Sequence, residues 1–492
     1  MRKLYLTISI AAALLLSVSC GSGGKPSDAA KRDAEPAIYP DYKGVTIPVG
    51  IAPLNFNITD GADAVYVTAK GSKGGEITAS GDYADFDIDD WHAIVEQNKG
   101  GTIDITVFAR YGDQWTEYKP FAVYVSHYPL EAWGLTYRRI APGYEVYSKM
   151  GIYQRCLATF EETAIIENTV VPGACFNCHT PNKTDPSHFT FHVRGDHGAT
   201  LVQTDGKREW LVARNDSLHG AMVYPYWHPS GDYCAYSTNQ THQSFHEVRG
   251  ERVEVFDEAS DVFVYKPATH ELLLDTLLMT RDHYETYPVF SPDGTTLYFC
   301  SAKAEPIPSR YKEIRYDLCK IDFDPATGGF GTTVDTLLSA SGMGKNAVHP
   351  RPSYDGKWLM FTMSDYGCFP IWHKEADNWI MNLSTGETHP LDAANSDDTD
   401  SWHNWSADSH WFVFTSRRGN GLHTRLYIAS IDEEGNATKP FLLPQKDPYA
   451  YYDALLDSYN TPDFALEKVE FDMRQAGREI MSDKRIKTNV RQ

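Results

Sequence analysis

Val289-Phe290-Ser291-Pro292-Asp293-Gly294-Thr295-Thr296-Leu297-Tyr298-Phe299-Cys300-Ser301 reads as a tight turn feeding a strand, and the chain says it more than once. Related text occurs at His228-Pro229-Ser230-Gly231-Asp232-Tyr233, Ser353-Tyr354-Asp355-Gly356-Lys357-Trp358 and, more weakly, Ser406-Ala407-Asp408-Ser409-His410-Trp411. With Gly231, Gly294, Gly356 and Ser409 taken as equivalent, the spacings are 63, 62 and 53 residues. In each copy a turn-forming residue is followed by one that tolerates φ > 0, and the chain reverses into alternating apolar residues. After three of the copies a further strand–turn–strand follows, as in 262–265 with 272–274, 318–321 with 334–337 and 426–429 with 441–443. Four strands per unit at this period describe β-propeller blades.

Outward from the repeats, the whole composition agrees. The 492 residues carry 45 Lys+Arg against 66 Asp+Glu, a formal charge of −21, which argues against a nucleic-acid partner. Thirty Tyr, 22 Phe and 11 Trp are too many for a solvated tail protein, and 36 Gly with 27 Pro favour short strands over long helices.

Arg2 and Lys3 precede an apolar run to Leu16, and Ser17-Val18-Ser19-Cys20-Gly21 follows. Residues 1–19 read as a signal peptide whose apolar run is too short for a comfortable span. Cys20 after small residues resembles the lipobox of bacterial lipoproteins, which implies lipidation of Cys20 and an acyl anchor in a bilayer, although Ser17 stands where Leu is more usual. Residues 20–40 are a Gly-, Ser- and charge-rich tether. Residues 41–128 alternate as an immunoglobulin-like β-sandwich, interrupted by a short helix from Asp89 to Gln97 with Asp89 or Asp90 as cap. The propeller is expected over 129–455, and 456–492 as a charged tail, partly helical around 468–481. The fold class is therefore all-β, a sandwich followed by a propeller.

Gly173-Ala174-Cys175-Phe176-Asn177-Cys178-His179 contains Cys-x-x-Cys-His. Two thiols at this spacing suit thioether bonds to the vinyl groups of one haem, with His179 one helical turn on as the proximal iron ligand. The expectation is a c-type haem attached at Cys175 and Cys178, within a binding segment 172–198. A zinc site, a thioredoxin-like dithiol and a simple disulfide are the bland readings. His192 is the first choice for the distal ligand, with His188, His197, His219 and Met222 as alternatives, and Arg194 is a candidate partner for a propionate. Cys300 and Cys319 are the one disulfide candidate. His228, His246, His349 and His403 recur near blade starts, where they either ring a channel metal or simply satisfy backbone and water.

The repeated turn-and-strand text resembles the propeller of TolB-type proteins over about 224–443, a family whose propellers usually have six blades; four are countable here, with half of another at 200–203 and 210–213. Signal, sandwich, Cys-x-x-Cys-His and blades, with Tyr147-Ser148-Lys149-Met150-Gly151-Ile152-Tyr153-Gln154-Arg155, Phe191-His192-Val193-Arg194-Gly195 and Val223-Tyr224-Pro225-Tyr226-Trp227-His228-Pro229, together resemble a group of lipoproteins of Bacteroidetes type, for which the resemblance implies haem and a propeller but no settled reaction. The first expectation is an outer-membrane lipoprotein on the periplasmic side, a redox carrier rather than an enzyme, passing electrons to an envelope protein partner. The second is a non-catalytic propeller scaffold binding protein, peptide or glycan. A hydrolase is the weak third, since Gly-x-Ser-x-Gly is absent.

Overall fold

The computed structural model describes residues 24–142, 149–213, 218, 220–248 and 251–491. Cys20, the signal segment, His219, and Tyr147 and Ser148 of the lipoprotein resemblance lie outside the described residues. No helix among those described is long and apolar enough to cross a membrane.

The chain is a β-propeller preceded by a smaller β unit. From residue 134 on, the strands group in chain order into antiparallel sheets spanning 134–167, 175–212, 223–273, 283–338, 346–390 and 400–442. They are called here the first to sixth sheet. The first is completed by Ser458–Ala465, which pairs with Gly134–Ile140. The two ends of the circle are thereby stitched in one sheet, so no long inner edge is left bare.

The repeated turn is the same object four times. In each copy the turn residue's N–H bonds the carbonyl three residues back: Gly231 to His228, Gly294 to Ser291, Gly356 to Ser353 and Ser409 to Ser406, at 2.8–3.0 Å. All four turn residues have φ between 64° and 79°, including the non-glycine Ser409. The hydroxyls of Ser291, Ser353 and Ser406 donate to Asp293, Asp355 and Asp408 at 2.5–2.6 Å, the local bond that makes Ser and Asp turn formers. At Gly294 a Cβ would also meet His228 Nε2 at 2.1 Å, whereas at Gly356 it would meet open space. Gly294→Ala is therefore expected to lower stability by about 2–3 kcal/mol and Gly356→Ala by about 1 kcal/mol, read as midpoints of urea unfolding.

The N-terminal unit has a main sheet that forks and a second, two-stranded sheet of Ile38–Tyr39 with Asn57–Ile58. Thr102–Tyr111 pairs along its length with Ala64–Gly71, and on its other side with Phe121–Val125 at one end and Gln114–Tyr118 at the other. The helix is Ile88–Gln97, capped by Asp87 rather than by Asp89 or Asp90: the Asp87 carboxylate accepts from the N–H groups of Asp89 and Asp90. The unit shares one apolar core with the sixth and first sheets, a cluster that holds Ile47, Val67 and Val107 together with Trp411, Ile428 and Tyr459. Trp411 Nε1 donates to the Pro129 carbonyl at 2.8 Å across that seam.

The tail, given no role by its sequence beyond a helix, is a strap. Its helix Met473–Met481 is capped by Asp472 and buries Ala476 and Ile480 against the second sheet's Phe191 and Trp210. Ile486–Lys487 then adds a parallel strand to the outer edge of the second sheet, and Asn489–Val490 does the same for the third.

Candidate functional site

The innermost strands of the propeller share an irregularity. Cys178, Tyr224, Tyr287, His349, Trp402 and Thr461, one from each sheet, all have φ between 43° and 56°. Each sits where the strand's register shifts against its neighbour, so each is a bulge that turns a side chain out of the ladder. The following residue is Pro225, Pro288, Pro350 or Pro462 in four sheets, where a missing N–H costs no ladder bond, and His179 or His403 in the other two. A left-handed non-glycine residue costs roughly 1–3 kcal/mol, and such strain gathers at functional sites. Rings from four of the six touch in succession: Tyr224 and Tyr287 at 4.4 Å between centroids, Tyr287 and His349 at 4.5 Å, His349 and Trp402 at 4.0 Å, stacked.

This septum divides the channel. On one side lies a cavity of about 120 Å³ and on the other one of about 30 Å³; Cys178, Tyr224, Trp402 and Thr461 line both. The larger, at the channel mouth, is walled by Phe369, Ile371, Trp372 and Trp402, by Asn177 and Asn460, and by Arg138, Arg194 and Arg417. The Arg417 guanidinium lies over the Trp372 ring. Across the mouth reaches the hairpin of Cys234–Val248 and Glu251–Lys266, whose Val253 and Val255 pack with Ile371 and Trp372. Glu254 pins it to the fifth sheet by accepting from the Tyr366 hydroxyl at 3.0 Å and pairing with His373 Nε2 at 3.2 Å. A larger cleft of about 600 Å³ beside the fourth sheet holds Glu285, Glu305, Glu313 and Asp317. These carboxylates are engaged by Thr280, Arg310 and Ser341.

The smaller cavity meets His179, Arg351, His403, Asn404 and Asp463. Burial holds the His179 and His403 imidazoles neutral, with pKa values lowered to about 3. Burial also raises the Asp463 carboxyl to about 7, against Arg351 and the hydrogen bonds of Thr180 and Asn404, which pull it down. The folded state thus binds a proton that the unfolded chain releases near pH 4, so this group's contribution to stability falls as pH rises from about 4 to 7. Asp463→Asn is expected to remove that fall and raise stability at pH 8 by a few kcal/mol, measured by urea unfolding of both proteins at pH 5 and 8.

The Cys-x-x-Cys-His segment is the inner strand of the second sheet, Cys175–Asn182, and this overturns the haem reading. A proximal ligand would stand one helical turn from Cys175, whereas the backbone is extended and bulged at Cys178. The His179 side chain is fully enclosed, with Asp463 Oδ2 at 3.9 Å and the Phe189 ring at 6.2 Å, in a channel cavity that is about the size of a water molecule. Burial lifts the Cys178 thiol above its usual range, and Cys175 Sγ accepts from Arg138 at 3.2 Å. His192, buried on the neighbouring strand, shares a hydrogen bond with Thr200 Oγ1 at 2.9 Å and lies opposite Asn177. His188 meets Ser187 and Trp227, His197 meets Asp483 and Met222 is core. Among the described residues no group of three His, Cys, Asp or Glu side chains could hold a metal. Haem c is withdrawn, and so is a metal held by a ring of imidazoles. His349 and His403 do face the channel, but His228 bonds the Gly294 carbonyl between sheets and His246 stands out on the hairpin.

The Cys300–Cys319 pairing also fails. Cys300 lies opposite Leu318 and Cys319 opposite Phe299, a one-residue offset that sends the two free thiols to opposite faces of the sheet. Sequence reasoning missed the septum and the arginines. A signal was present: Tyr224, Tyr287, His349 and Trp402 each stand seven residues before the turn residue of their sheet.

No family model matches the chain, and no curated protein matches it. Solved structures do. A puromycin-hydrolyzing peptidase of Mycobacterium tuberculosis is 10% identical, over 82% of this chain and 57% of its own, with a TM-score of 0.36. Prolyl oligopeptidase B from Galerina marginata is 12% identical, over 62% and 44%, at 0.37. A putative dipeptidyl aminopeptidase IV from Bacteroides ovatus is 13% identical, over 65% and 60%, at 0.27. The chain spans about half the length of these proteins. The expectation that it is no enzyme, a redox carrier rather than a hydrolase, is withdrawn: the three solved structures named here are of peptidases. At such identities the likeness concerns the fold alone, and no reaction is taken from it.

Proposed function

We propose that this protein is an envelope lipoprotein built on a six-bladed propeller, with an immunoglobulin-like module before it, and that it binds its ligand in the channel mouth. The observation that carries the reading is the mouth itself: aromatic walls, buried amides and guanidiniums over a strained septum. Aromatic surface with a few placed polar groups is the usual make-up of a ligand site, and residues are kept in left-handed bulges where function needs their side chains. The Cys20 lipobox supports an acyl anchor to the outer membrane, periplasmic side, and the partner class is a peptide, glycan or protein of the envelope.

Two measurements test this. A ligand entering the mouth is expected to change tryptophan emission, with the change lost in Trp372→Phe combined with Trp402→Phe; a change that persists in the double variant moves the site elsewhere. For the anchor, Cys20→Ala is expected to shift the protein from the membrane to the soluble envelope fraction, and an unshifted protein refutes it.

A further inference from the structure

We infer that the mouth takes the free carboxylate end of a peptide or acylated amino acid, with an apolar last residue lying against Trp402 and Phe369. The inference rests on the proposed site and names its ligand class.

Three features of the cavity converge on that chemistry. Arg138, Arg194 and Arg417 come from the first, second and sixth sheets, and all line one space of about 120 Å³. Arg138 and Arg417 are more than nine-tenths buried. Each guanidinium has contacts inside the protein; what matters is that three of them, from three sheets, line one cavity. That geometry suits a planar carboxylate, which accepts two parallel bonds from one guanidinium. In a chain of net charge −21, a pocket of this sign also focuses an anion toward itself.

The second feature is a pair of acceptors. Asn177 Oδ1 and Asn460 Oδ1 belong to buried residues of the lining and lack a hydrogen-bond partner. A buried acceptor without a donor is costly, and an amide N–H next to the carboxylate would satisfy one. An anion such as chloride or sulfate offers no such donor; a terminal amide bond does. The third is size. About 120 Å³ is below the 300–1,000 Å³ of clefts that swallow whole drug-sized ligands, and suits one terminal residue with the remainder of the ligand outside.

The test uses the full-length protein without its signal and two probes, N-acetyl-phenylalanine and its C-terminal amide, followed by tryptophan emission and calorimetry. The acid is expected to bind at least about tenfold more tightly than the amide. Arg194→Gln, an exposed position that spares the core, is expected to weaken the acid several-fold and leave the amide unchanged. Equal binding of acid and amide, or an acid affinity indifferent to Arg194→Gln, overturns the carboxylate inference while leaving the mouth as the site. Failure of both probes to bind overturns the ligand class. If other envelope peptides or glycans also leave the emission of Trp372 and Trp402 unchanged, the proposed site falls with it.

Discussion

A chain ending at Asp457 is expected not to fold cooperatively, whereas one ending at Ala465 folds with reduced stability. The difference is one strand. Ser458–Ala465 is the innermost strand of the first sheet, hydrogen-bonded to Gly134–Ile140 and packed beside the inner strands of the sixth and second sheets. Without it the first sheet has no inner edge, and Tyr459 and Phe464 leave the core. Each lost aromatic costs about 3–5 kcal/mol, which together reaches the whole stability of an ordinary domain. Cutting at 465 removes only the strap: Val469, Ala476 and Ile480 leave the second sheet, and the outer edges of two sheets are bared. That chain is expected to retain a sharp transition at a lower temperature and to aggregate more readily through its open edges. Circular dichroism melts of both truncations check this; two equally cooperative transitions would show that the closing strand is dispensable.

Trp411→Ala is the second large effect. Trp411 is fully buried where the N-terminal unit meets the sixth sheet, and its indole bonds the Pro129 carbonyl. Truncation empties a large volume at the seam and orphans that carbonyl, a loss of about 3–5 kcal/mol. Because the core is continuous across the seam, the wild-type protein is expected to melt in one transition. The variant is expected to show two, with the N-terminal unit leaving first, in differential scanning calorimetry. Tyr42, whose hydroxyl donates to the Leu442 carbonyl at 3.2 Å, crosses the same seam and offers a milder version of the test.

The turns were legible because their chemistry is local. Ser, Asp and Gly at fixed offsets specify the reversal wherever they occur, and the equivalence of Ser409 with three glycines survives in its positive φ. The septum was marked only by the fixed offset of its residues from the turns, since a bulge is decided by register against the partner strand, 14 residues on in four of the sheets. The Cys-x-x-Cys-His misreading has the same origin. Read as isolated text, Cys178-His179 is cofactor chemistry; read in its sheet, it occupies the place of Tyr224-Pro225 and Trp402-His403. The tail's two-residue strands carry no periodicity to detect, and the helix cap lies two or three residues before the expected Asp89 or Asp90 because Asp87, Asp89 and Asp90 offer the same side chain to the same orphan N–H groups.

Thr461, in the septum, and Asp463, beneath it, belong to the strand that completes the first sheet. Whatever loosens that seam also unmakes the floor of the mouth, so occupancy and closure are thermodynamically linked. A guest resting on the septum would act as a latch, slowing amide hydrogen exchange across 458–465 although it touches few of those residues. The resting protein would then be the more easily sprung of its two states, and the end of the chain, far from an appendage, would be where binding is felt.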